Sequence, residues 1–73
     1  MNRYSKKVID NVWKYINAIP KDKLDNSVEI IYERDCPKLN ISDIDLSNIL
    51  KYLKAQGLIS DYAGYFEGGI ILF

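Results

Sequence analysis

Apolar positions recur along this chain at helical spacing in two places and run in short strand-like blocks at its end. Val8, Ile9, Val12, Trp13, Ile16 and Ile19 mark one face of a first predicted helix. Ser5 stands before them as an N-cap residue, and Pro20, which lacks an N–H, forbids continuation. Pro20-Lys21-Asp22-Lys23 reads as a polar connector. From Leu24 to Leu39 the pattern admits two readings. The preferred one is a second helix capped by Asn26 or Ser27, with Val28, Ile31 and Tyr32 facing inward, because the adjacent Ile30 and Ile31 break strict alternation. The other is a strand, since Val28, Ile30, Ile31 and Tyr32 all favour β structure. Pro37 is expected to close either element. Ser42, Asp43 and Asp45 then suit the start of a third helix, whose inward stripe is Leu46, Ile49, Leu50 and Leu53 and whose left-handed cap is Gly57. Leu58 to Ala63 and Gly69 to Phe73 read as two strands joined through Gly64 and the Gly68-Gly69 pair. The expectation is an α+β domain spanning residues 1–73, three helices followed by a C-terminal β-hairpin.

Composition supports folding: 48% of the 73 residues are apolar, and the aromatics comprise six tyrosines, two phenylalanines and one tryptophan. A chain this short has room for one domain, in which every apolar stripe must be used. The lone Cys36 cannot form an internal disulfide, and no apolar run has the length of a signal peptide or membrane span, so an intracellular, cytoplasmic location is expected. Ten basic residues balance ten acidic ones, which removes any global field directed at nucleic acid or an anionic membrane. The balance is uneven along the chain. Arg3, Lys6, Lys7, Lys14, Lys21 and Lys23 oppose only Asp10 and Asp22, whereas Asp25, Glu29, Glu33, Asp35, Asp43 and Asp45 oppose only Arg34 and Lys38.

The run Ile49-Leu50-Lys51-Tyr52-Leu53-Lys54-Ala55-Gln56-Gly57-Leu58-Ile59, followed by a glycine-rich hairpin, resembles the third helix and wing of the winged helix-turn-helix superfamily. The match covers the last 30 residues or so, and the first helix fits the expected order. The resemblance implies a winged helix of a small bacterial or mobile-element type, with a DNA-associated role in transcription or mobile-element control. On that frame the outer face of the third helix presents Ile44, Ser47, Asn48, Lys51, Tyr52 and Ala55 to a major groove. Ser47 and Asn48 are then the candidates for base edges, and Lys51, Lys54, Lys6 and Lys7 those for phosphates.

Two features oppose duplex DNA as the partner. Asp43 and Asp45 occupy the leading end of the third helix, where carboxylates work against the phosphate contacts that supply most of the affinity. The wing, Tyr62-Ala63-Gly64-Tyr65-Phe66-Glu67-Gly68-Gly69, contains no arginine or lysine. Tyr62, Tyr65 and Phe66, together with Tyr52, are instead the candidates for a protein interface or self-association, in which the acidic middle segment would hold a basic partner. Enzymatic chemistry is not expected. The absence of histidine removes imidazole bases and catalytic triads, one cysteine makes no thiolate metal site, and neither the carboxylates nor the glycines fall in a catalytic or phosphate-binding pattern. No metal, cofactor or membrane partner is implied.

Overall fold

In the computed structural model, which describes residues 4–73, helix α1 (Lys6–Ala18) begins where Ser5 Oγ accepts the Val8 N–H at 3.2 Å. It ends at Ile19, whose backbone is extended as the residue before a proline must be. Ile9, Val12 and Ile16 form its buried stripe.

The chain then departs from the preferred helical reading of Leu24–Leu39. Asn26 takes up a left-handed conformation (φ 58°) and Ser27–Ile31 forms strand β1, followed without a break by helix α2 (Tyr32–Leu39). Val28 and Ile30 point inward and Glu29 outward, so alternation does hold, but for five residues only. The adjacent Ile30 and Ile31 that suggested a helix are the last two residues of β1, and Ile31 and Tyr32 are the seam between the two elements. Pro37 lies inside α2 and does not close it. At the sixth position of so short a helix it forfeits a single backbone bond, and the helix ends two residues later at Leu39, capped by Asn40, which is left-handed (φ 56°).

Helix α3 (Asp43–Ala55) is capped by Ser42, whose Oγ accepts the Asp45 N–H at 3.1 Å, and buries Leu46, Ile49, Leu50 and Leu53. Gly57, at φ 77°, provides the left-handed exit. Strands β2 (Asp61–Tyr65) and β3 (Gly68–Leu72) form the hairpin, and β3 also pairs with β1, giving an antiparallel sheet of order β1-β3-β2. Ser27 lies opposite Leu72 and Ile31 opposite Gly68.

The hairpin loop is Phe66-Glu67, so the Gly68-Gly69 pair belongs to β3 and not to the turn. Both glycines are required for close approach: a Cβ on Gly68 would fall 1.8 Å from the Ile30 carbonyl oxygen, and one on Gly69 would fall 2.5 Å from the Tyr62 ring. The core lies between the inner sheet face, carrying Val28, Ile30, Tyr62 and Ile71, and the stripes of α1 and α3. No described helix is long and apolar enough to cross a membrane.

Candidate binding cleft between the third helix and the hairpin

Besides the β1–β3 ladder, two contacts of Tyr32, the first residue of α2, hold the hairpin to that helix. The Tyr32 N–H, one of the amides left without an intrahelical partner at the start of α2, donates to the Glu67 carbonyl at 2.9 Å. The Tyr32 and Tyr62 hydroxyls meet at 2.8 Å. Burial, reinforced by that hydrogen bond, pushes the Tyr62 pKa up to about 12, so its hydroxyl stays neutral. This anchoring places Phe66, 97% exposed, beside the first turns of α3.

The cleft so formed has a volume of about 310 Å³. Phe66 on the hairpin and Ile44 on α3, 70% exposed, supply apolar surface, with Tyr32, Ser47 and Asn48 between them. Among the described residues, Asp43 and Lys51 are the charged ones in its lining. A second hollow of about 550 Å³ adjoins it, sharing Tyr32 and Asp43 and adding Glu33, Asp45, Pro37 and Ile41.

The residues expected to contact nucleic acid are distributed unevenly. Ser47, Asn48 and Lys51 do share the cleft. Ser47 lies against the Tyr62 hydroxyl, and Asn48 Nδ2 donates to the Tyr4 hydroxyl at 3.3 Å, which in turn donates to Asp45 Oδ1 at 2.9 Å. Lys54 is drawn aside into an ion pair with Asp61 at 2.8 Å. Lys6 lines a separate groove between α1 and the end of α3, with Tyr4, Ile9, Tyr52 and Leu58, while Lys7 is exposed on α1. Arg3 lies outside the described residues.

The aromatic candidates also divide. Tyr65 and Phe66 are exposed on the hairpin, with the Tyr65 hydroxyl donating to Glu29 Oε2 at 2.8 Å. Tyr62, only 8% exposed, belongs to the core, because its ring fills the space left by Gly64 and Gly69 on the inner sheet face. Tyr52 faces the α1 groove, away from the hairpin residues of the cleft.

Ile44, expected on the outer face of α3, is 70% exposed there and lines the cleft with Phe66. Asp35, a fully buried carboxylate in α2, escapes the sequence pattern. Asp35 accepts the Tyr15 hydroxyl, the Ile31 N–H at 2.8 Å, and Arg34 Nε and Nη2 at 2.9 and 3.0 Å. Burial would raise its pKa, but Arg34, Tyr15 and the Ile31 amide together hold it below the usual carboxylate value. It joins α1 to the β1–α2 seam and lies apart from the cleft.

Cys36 is buried, and burial together with the neighbouring Asp43 carboxylate pushes its thiol up to about 11, which keeps it protonated and unreactive. Among the described residues no group of His, Cys, Asp and Glu side chains converges as a metal site requires. No protein family, no curated protein and no solved structure matches the chain.

Proposed function

We propose that the chain is a winged-helix domain acting as a non-enzymatic, intracellular binding module, and that the cleft between α3 and the hairpin holds a protein partner. The winged-helix reading is supported by the order α1-β1-α2-α3-β2-β3, with β1 completing a sheet against the hairpin. The observation that carries the functional reading is the exposure of Phe66 on a hairpin loop that is itself pinned to α2. An exposed aromatic on a rigid support provides a large contact area at low entropic cost, as interface anchors do. Ile44 faces it across the cleft, so the two apolar side chains can close on one residue of a partner.

Duplex DNA is the rival reading, favoured by Ser47, Asn48 and Lys51 in the same cleft. A phosphate backbone needs several cations on one surface. The cleft offers Lys51 against Asp43, Lys54 is committed to Asp61, and Lys6 belongs to another groove. Placing the photo-crosslinking residue p-benzoylphenylalanine at position 66 in the producing cell tests the choice. A light-dependent protein adduct that disappears with Ile44→Glu is expected, together with no mobility shift of duplex DNA at tens of micromolar protein. Salt-sensitive duplex binding abolished by Lys51→Glu, with no protein adduct, would overturn the proposal.

A further inference from the structure

The chemistry of the partner segment can be taken one step further, on the premise that the cleft binds protein. The cleft and the adjoining hollow share Tyr32 and Asp43 and so form one continuous trough across the start of α3. Its hairpin end carries two largely exposed apolar side chains, Phe66 and Ile44, beside Ser47, Asn48 and Lys51. Its far end is anionic: Glu33, Asp43 and Asp45 line the hollow, and among the described residues no cation stands in its wall. Neither of the two ion pairs among the described residues, Arg34–Asp35 and Lys54–Asp61, involves these three carboxylates.

An anionic ligand could use the α3 N-terminus only if its amides were unopposed. Ser42 Oγ already takes the Asp45 N–H, and Asp43 and Asp45 place two negative charges in the first turn. The electrostatic preference of this end is therefore for a cation.

We infer that the trough receives a basic peptide segment of a partner protein, with an aliphatic or aromatic residue seated between Phe66 and Ile44 and a lysine or arginine seated against Glu33 and Asp43. The two subsites lie side by side, so the segment must carry the apolar and basic residues close together. Apolar contact supplies the affinity and the carboxylates select the sign of charge.

Panning phage-displayed random 12-residue peptides on the intact 73-residue chain tests this. The selected peptides should combine lysine or arginine with a large apolar residue and bind more weakly as salt rises. Binding of one such synthetic peptide, followed by fluorescence anisotropy, should weaken about five- to tenfold in the double variant Glu33→Gln/Asp43→Asn, and by at least as much in Phe66→Ser. All three substituted side chains are exposed, and an unchanged circular dichroism spectrum verifies the fold. Neutral or acidic peptides that still depend on Phe66 would overturn the basic-segment inference and leave protein binding standing. Selected peptides indifferent to Phe66 would overturn both. A dimer in sedimentation that Phe66→Ser dissociates would replace the foreign segment with a second copy of this chain.

Discussion

Replacing Tyr15 with Phe removes one donor from the buried Asp35 carboxylate while leaving the ring that packs against the core. A hydrogen bond to a charged group is worth roughly 1.5–3 kcal/mol, and here the Ile31 amide and Arg34 remain to hold the carboxylate, so the expected loss is about 2 kcal/mol. Asp35→Ala is more severe. It leaves the Ile31 N–H and the Tyr15 hydroxyl without their acceptor, although the half-exposed Arg34 regains water, and the cost is about 3–4 kcal/mol. A domain of this length has about 4–11 kcal/mol in total at the usual stability per residue. The first variant should therefore fold with Tm lowered by about 8–16 °C, and the second should lie near the edge of stability. Urea unfolding followed by circular dichroism measures both. The pH dependence carries a defined sign. Because the folded Asp35 pKa lies below 3.8, its contribution is complete above that value and is lost as pH falls through the folded pKa. Asp35→Asn should accordingly lose less stability than the parent between pH 5 and pH 2. A Tyr15→Phe cost below about 0.5 kcal/mol, within the range of an ordinary surface change, would refute the reasoning, as would an unchanged acid dependence in Asp35→Asn.

The close approach of β1 to β3 predicts that Gly68→Ala costs about 3 kcal/mol or prevents folding, because its Cβ meets backbone at 1.8 Å, while Gly64→Ala, whose Cβ would stand 3.1 Å from the Tyr62 hydroxyl with the Tyr62 side chain as its nearest neighbour, costs about 1 kcal/mol; thermal melts of the two variants distinguish them. Cys36, buried with its pKa pushed up to about 11, should react with Ellman's reagent at pH 8 only as fast as the chain opens, and addition of urea should release the reaction; rapid labelling of the folded chain would contradict its placement.

The helices at either end of the core are legible in the sequence because period, caps and stops agree. Ser5 and Pro20 bracket the α1 stripe, and Ser42 and Gly57 bracket that of α3. The β1–α2 seam was not, because two short elements abut with no polar spacer. Ile31 serves as the helix cap without a side-chain acceptor, and Asp35, four residues on, reaches back to its N–H. Only a folded chain, with Tyr15 and Arg34 gathered around it, distinguishes that carboxylate from the solvated acids elsewhere in the middle segment. The hairpin glycines were identified as special for the wrong reason: adjacent glycines suit a turn, but here their lack of a side chain admits the Ile30 carbonyl and the Tyr62 ring. Of the cleft, the sequence showed the polar face of α3 and an aromatic hairpin. That Phe66 and Ile44 line one cleft, that Tyr62 turns inward and that Lys54 is paired with Asp61 all depend on long-range register, which local pattern does not carry.

The central claim, that the trough between α3 and the hairpin is a protein-binding surface, is tested most directly by mapping amide chemical shifts on the labelled chain during titration with a selected peptide and, separately, with a short DNA duplex. The peptide should perturb Tyr32, Asp43, Ile44, Ser47, Asn48 and Phe66 together while the duplex leaves them unmoved. Peptide-induced shifts confined to the separate groove of Tyr4, Tyr52 and Leu58, or duplex-induced shifts at Ser47, Asn48 and Lys51, would contradict it.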